Sequence, residues 1–543
     1  MHKDSGNKIF HNGLLYTVDD ACPRASVIAV ANGRIVYVGD DAHEAGRRAP
    51  GAEVVDLRGH AVFPGFIDSH QHFIFEGLRL TGLDCVMKSK GEILREVAEA
   101  AKARKAGEWI LGRGWNNTLW EDTDWPAKEE LDAAAPENPV CLSRLDGHSV
   151  WVNSLALRAA GVNRDTRDMP GGEILRTPDG DILGVLVDAA AAVVRAAIPP
   201  YSEEEKREAC LAAQEEMFGF GVTSASDAWI GCQDFAFLRR MYESGELRIR
   251  LYGMLSSRVG ADEARISFPE PVFGLYGDSL SLRAYKVMLD GSLGSRSAWL
   301  TEDYADRPGH AGNRRYEDED LLAVLRPAVA KGFQLCIHAI GDAAVLQAVA
   351  ALETLCGERS GGKLGGQSGE WLPHRIEHFQ IASRETAERA VKIGVIPGMQ
   401  ALHCLADRSM AQMRLSPSLL AKSYPWRSVI DAGGMVAGGS DSPMDGVNPF
   451  HGFYSAVARE AFPCCPQDPE SLRMTREEAL KSYTLWAAHA ELAADVKGSL
   501  VPGKIADFTV LDRDIMTCPL EDIKDARALL TVLSGDTVHG GIY

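Results

Sequence analysis

Along the first sixty residues, apolar and polar positions alternate. In SVIAVANGRIVYVGD the alternation runs on both sides of Asn32-Gly33, a dipeptide suited to the positive φ angles of a type I′ hairpin. The far end of the chain has the same texture: GKIADFTVLDRD and LLTVLSGDTVHGG are short β-branched runs punctuated by Gly and Asp. Neither stretch is large enough to bury a core alone. Residues 1–63 and 491–543 are therefore expected to pair into one small composite β-sandwich.

Between them, continuous apolar runs replace the alternation, each followed by a helical pattern. They are AVFPGFID (61–68), GVTSASDA (221–228), RLYGMLSS (250–257), LRAYKVMLDG (282–291), FQLCIHA (333–339), HRIEHF (374–379), GVIPGMQA (394–401) and MVAGGSD (435–441). Apolar strands alternating with helices indicate a parallel sheet covered on both faces. Eight such units predict an α/β fold, a (β/α)8 or TIM barrel over 64–490.

The spacing of the runs is uneven. Between His72 and Lys286 the chain is far longer than the roughly 90–100 residues that three βαβ steps require. About a hundred residues are thus inserted after strand one, within about 73–200, where barrel loops face the catalytic side. The insertion holds Trp109, Trp115, Trp120, Trp125 and Trp151. It reads either as a lid or substrate wall, or as a small unit whose tryptophans pack its own core. The Gly-rich stretch ERSGGKLGGQSGE (358–370) reads as a flexible linker on the opposite face.

Composition narrows the class. The chain has 543 residues, 45% hydrophobic and 24% charged, a globular and multi-domain balance. Lys and Arg number 57 against 76 Asp and Glu, and the net charge of −19 opposes binding to nucleic acid or anionic membrane. The opening MHKDSGNK has no apolar stretch for a signal peptide, and no run approaches a membrane span. Eleven cysteines, single apart from Cys464-Cys465, form no C-x-x-C pair. A reducing cytoplasm is the expected setting.

The strongest local motif is PGFIDSHQHF. His70 and His72 are two apart, so a strand would point both rings the same way. They are either ligands of one metal ion or a polar pair at a strand end. His338, His378 and Asp441 end other predicted strands and aim at the same rim, which suits zinc or a similar divalent ion. Lys286 lies inside the apolar run LRAYKVMLDG, where burial would depress its pKa. Its neutral amine could take up carbon dioxide as a carbamate and bridge two cations, or the lysine could simply pair with Asp290 or another carboxylate. Two look-alikes fail. GSLVPGK (498–504) is followed by Ile505 where a phosphate loop needs Ser or Thr. HRIEH (374–378) fits an H-x-x-E-H peptidase pattern, a minor alternative, but Pro373 and strand length argue against the helix it needs.

The order H-x-H on strand one, Lys on four, His on five, His on six and Asp on eight resembles the amidohydrolase superfamily. GRGWNNTLW, DGHSVWVNSLAL, KVMLDGSLGSRSA, HAIGDAAV and GSLVPGKIADFTVLD are similar to its amidohydrolase 3 type, the branch with N-substituted formamide deformylases and imidazolone-type hydrolases. The resemblance runs almost end to end. It implies a metal-dependent hydrolase with one or two divalent ions, most commonly zinc. It further implies a carboxylated Lys286, with His70, His72 and Asp441 on one ion and His338 and His378 on the other. Asp441 would shuttle the proton from water to the leaving nitrogen. His403, Gln400, Trp115 and His148 are the expected substrate contacts. The expected substrate is a small-molecule amide, and the expected assembly a homo-oligomer (a dimer). Two alternatives stand beside this: a mononuclear deaminase of a heterocycle, and an inert scaffold or regulatory relative. Such deaminases usually carry an acid three residues after the strand-five histidine, whereas His338 is followed by Ala339, Ile340 and Gly341.

Overall fold

A computed structural model describes residues 6–145, 147–169, 171–256, 269–360, 371–459 and 469–542. Most of the Gly-rich stretch and Cys464-Cys465 lie outside them. The chain forms two compact units, Met1–Phe73 with Gln214–Tyr543, and Ile74–Ala213.

The first unit holds eight parallel strands: β1 (Phe66–Gln71), β2 (Val222–Ile230), β3 (Arg250–Ser256), β4 (Leu280–Met288), β5 (Gln334–Ala339), β6 (Arg375–His378), β7 (Ile396–Met399) and β8 (Ala437–Gly438). Each is paired with its neighbours in that order. The sheet closes where Asp441 N–H donates to the His70 carbonyl (2.7 Å) and His72 N–H to the Ser442 carbonyl (2.8 Å). Buried Asp68 braces the same seam, accepting from Ser440 N–H (3.0 Å) and Ser440 Oγ (2.5 Å). This is a (β/α)8 barrel, and every residue of β1, β3, β5, β6 and β7 is buried.

The apolar run 61–68 is two strands, not one. Ala61–Pro64 pairs with Phe508–Leu511 and with Leu14–Tyr16, and the chain enters β1 only after Gly65. The terminal segments build two sheets. Arg34–Gly39, Val27–Ala31, Lys8–His11 and Glu53–Asp56 form one. The other joins Asp536–Gly540, Ala528–Leu533 and Phe508–Leu511 from the C-terminal end to Ala61–Pro64, Leu14–Tyr16 and Arg24–Ala25. Phe10, Ile28, Val62, Val510 and Val532 fill one core, with Phe10 edge-on to Phe508. The Asn32-Gly33 turn has φ of 52° and 73°, as a type I′ hairpin requires. Arg250 at the start of β3 grips Asp507 (2.5 and 3.0 Å), tying barrel to sandwich.

The second unit is a six-stranded sheet of Leu83–Asp84, Ile110–Trp115, Val140–Arg144, Ser149–Val152, Ile182–Asp188 and Gly172–Arg176. Trp115, Trp120 and Trp151 pack within 6.2 Å of one another in its core. Their indole N–H groups donate to the Leu142, Lys88 and Ala127 carbonyls. Trp125 stays partly exposed. Packing of the unit's own core accounts for these three rings. No helix among the described residues is long and apolar enough to cross a membrane.

Gly65 allows the sharp passage from sandwich to barrel, because a Cβ there would lie 2.1 Å from Thr223 Oγ1 and 2.9 Å from its Cβ. Thr is stiff at χ1 and cannot swing away freely. Gly65→Ala should cost about 1–3 kcal/mol, read as a lower midpoint in denaturant unfolding.

Candidate metal centre

Parallel register brings the carboxyl ends of the strands to one rim. His378 lies beside Ala339, His338 beside Met288, and Lys286 beside Cys336. His70, His72, Lys286, His338, His378 and Asp441 therefore line one cavity of about 470 Å3. His70, His72 and Asp441 each offer a ligand atom within 4.8 Å of the others. Asp441 Oδ1 is 3.5 Å from His70 Nε2 and 3.4 Å from His72 Nε2. The His338 and His378 rings lie 4.4 Å apart, centroid to centroid, and His378 lies 4.9 Å from His70. His378 (φ 70°) and Asp441 (φ 58°) both sit in the left-handed region, a strain that non-glycine residues hold mainly where surrounding structure imposes it.

Electrostatics prepare the donors. Burial, then the nearby Lys286 ammonium, pushes the His70 imidazole down to about 4. Burial would raise the Glu377 carboxyl, but the Arg375 guanidinium reverses this and holds it well below the usual carboxylate range. Arg375 grips Glu377 with Nε (2.7 Å) and Nη2 (2.9 Å). A neutral His70 thus donates Nδ1–H to a carboxylate, Glu377 Oε2, at 2.5 Å, which leaves the Nε2 lone pair facing the cavity. A carboxylate behind a histidine fixes its tautomer and raises its basicity toward a metal. Burial also lowers His378 well below the ordinary value. Asp441 is held well below its usual range: burial opposes ionisation, but the His72 hydrogen bond and the neighbouring imidazoles outweigh it. The His70 and His378 imidazoles, held neutral, and the ionised Asp441 carboxylate are donors that fit a divalent ion.

Lys286 does not pair with Asp290. The Asp290 carboxylate accepts from Trp299 N–H (2.9 Å), Ile340 N–H (3.1 Å) and Gly341 N–H (2.8 Å), and lies 3.3 Å from His338 Nε2. Lys286 Nζ faces His70 Nε2 at 3.5 Å, and burial lowers its pKa against the opposing pull of Glu377 and Asp441. HRIEH enters strand β6 at Arg375 and forms no helix, so the peptidase alternative lacks the helix it needs.

The expected substrate contacts fare unequally. His403 lines the cavity, its ring nearly parallel to His378 at 6.4 Å and its Nε2 3.3 Å from Asp445 Oδ2. Gln400 is buried behind His378 and receives its Nδ1 at 2.8 Å, so it orients that ring and does not face the cavity. Trp115 has no exposed surface and belongs to the core of the second unit. His148, in that unit, is exposed and lies 2.6 Å from Asp188. Glu377 and Asp68 have no role in the sequence analysis, and Asp290 enters it only as a partner for Lys286. A carboxylate one residue before a strand-end histidine was the one available sign of Glu377.

Residues 53–539 match the profile of the amidohydrolase family. The chain belongs to that family, as an amidohydrolase-type metal-dependent hydrolase. It is 32% identical to the protein LONG AFTER FAR-RED 3 of Arabidopsis thaliana over 97% of this chain and 91% of that one. It is 27% identical to the N-substituted formamide deformylase of Arthrobacter pascens, covering 96% of each. An uncharacterized metal-dependent hydrolase from Pyrococcus furiosus superposes with a TM-score of 0.77 at 26% identity, over 94% of this chain and all of that one.

Replacing Glu377 by Gln keeps the shape but removes the charge behind His70. Metal affinity should fall about 10–100-fold, measured by competition with a chromophoric chelator.

Proposed function

We propose that the protein hydrolyses an amide-type carbon–nitrogen bond in a small molecule, an N-substituted formamide or a related N-acyl amine. The observation that carries this reading is the convergence of four imidazoles, Lys286 and Asp441 on one cavity at the carboxyl ends of the barrel strands. Similarity to a formamide deformylase over nearly the whole chain supports the choice of bond.

His70, His72 and Asp441 would hold one divalent ion, zinc by preference. A second would fall to His338, His378 and Lys286 once its neutral amine has added carbon dioxide and lost a proton. Such an ion supplies a Lewis acid and an acidified water. Asp441 provides the proton relay. Its carboxylate lies on the cavity wall and stays ionised, so it can accept a proton from the attacking water and return it to the leaving nitrogen. An amine leaves poorly without that proton.

The rest of the cavity bears on the substrate. Trp229, Met288, Leu293, Ile340, Met410 and Met444 give it an apolar wall, which suits an aromatic or aliphatic N-substituent. Asp407 and Asp445 add two carboxylates, and among the described lining residues Lys286 is the sole Lys or Arg. A substrate carboxylate would meet like charge there, which favours N-acyl amines over N-acyl amino acids.

Asp441→Asn should lower kcat by about 10²–10⁴-fold with the barrel intact by circular dichroism, and a wild-type rate would refute the relay. Removal of metal by a chelator should abolish turnover, and readdition of a divalent ion should restore it. The metal-loaded protein should release amine and carboxylate from N-formyl amines, while ammonia without a carboxylate product, from aminopurines, would establish a deaminase.

A further inference from the structure

The interior of a (β/α)8 barrel is ordinarily filled by layers of apolar side chains. Here a file of alternating charges runs through it. Lys497 Nζ pairs with Glu491 Oε2 at 2.5 Å and also donates to Ser224 Oγ. Glu491 in turn accepts from Ser226 Oγ (2.9 Å) and Ser224 Oγ (3.2 Å), both on β2. Arg375 Nη1 reaches Ser226 Oγ at 3.5 Å, and its other nitrogens grip Glu377, which holds His70. Glu491 is 2% exposed, Arg375 and Glu377 are fully buried, and Lys497 is 8% exposed. At the lower end, Glu491 and Lys497 line a second cavity of about 240 Å3, beside Arg250 and Ser281 near the starts of β3 and β4.

Burying this many charges is costly unless each is paired, and the file does not close on itself: it ends on a nitrogen of a metal-site histidine. We propose that Glu491 and Lys497 are positioning residues that set how tightly His70 holds a metal ion, acting through Ser226, Arg375 and Glu377. This rests on the reading that His70 is a metal ligand.

The sign follows from the order of charges. Glu491 shares the attraction of Arg375 with Glu377. Without its charge, Arg375 draws harder on Glu377, Glu377 supports the His70 N–H less, and His70 Nε2 becomes a weaker donor. Lys497 does the reverse. Without it, Glu491 pulls more on Arg375, Glu377 is freer to polarise His70, and the donor strengthens.

The test uses full-length protein stripped of metal and titrated with zinc against a chelator, so that no turnover is needed. Glu491→Gln should weaken zinc binding and Lys497→Met should tighten it. Each shift should be roughly three- to tenfold, the scale for unit charges about 12–25 Å apart at an effective dielectric near 20. Both substitutions break a buried pair and should lower thermal stability, so a merely structural role would move affinity the same way in both. Shifts in one direction, or no shift in either, overturn the proposal. If Glu491→Gln does not fold, Lys497→Met still decides, because tighter binding cannot come from damage. A wild-type protein that takes up no zinc would overturn the metal reading together with this one, whereas tight binding that neither variant alters would overturn this one alone.

Discussion

The pairing of Arg375 with Glu377 inside the barrel is the interaction on which the site depends. Both side chains are fully buried, where a charge left alone costs several kcal/mol. Breaking such a pair by removing one partner typically costs about 3–5 kcal/mol, yet replacing both by apolar groups is often neutral. Stability alone is therefore a poor reason to keep it. What the pair supplies is a carboxylate that stays ionised at the barrel axis, and with it a His70 whose tautomer is fixed. Arg375 also donates to the Ser69 carbonyl (2.7 Å), so the same guanidinium positions the backbone that carries the histidine.

Three of the candidate ligands, His378, His338 and His70, have such a support one layer back. Gln400 orients His378, Asp290 lies against His338, and Asp68 receives the His70 N–H while tying β1 to Ser440. Burial pushes Asp68 up to about 7 despite these hydrogen bonds. The supports come from β1, β6 and the loops after β4 and β7, so orienting one ring requires several strands to be in register at once. That coupling explains why imidazoles contributed by strands far apart in sequence can share a cavity a few ångströms across.

Much of this was legible in the chain. Period-two spacing placed His70 and His72 on one face, and apolar runs located all eight barrel strands. The matching texture of the two ends foretold the shared sandwich, down to the Asn32-Gly33 turn. What escaped was set by distant partners. Glu377 looks like any polar residue until Arg375 and His70 are beside it. The break at Gly65 is invisible to hydropathy, since both halves of 61–68 are apolar. Trp115 could have been a wall or a core residue, because the same ring serves both and only its surroundings decide. Gln400 lies one residue past a strand and meets the His378 ring, not the cavity.

The barrel's seam has a thermodynamic consequence. A two-residue strand, two backbone hydrogen bonds, the Asp68–Ser440 contact and the approach of Asp441 to the histidines join β8 to β1, and the candidate ligands sit on both sides: His70 and His72 on one lip, Asp441 on the other. An ion spanning them would act as a clasp, binding the shut cylinder and not a parted one, and would stabilise it by RT ln(1 + [M]/Kd). Supply of that ion would then govern how long the protein survives as well as how fast it works, and amide protons along this join would exchange faster when the clasp is withdrawn.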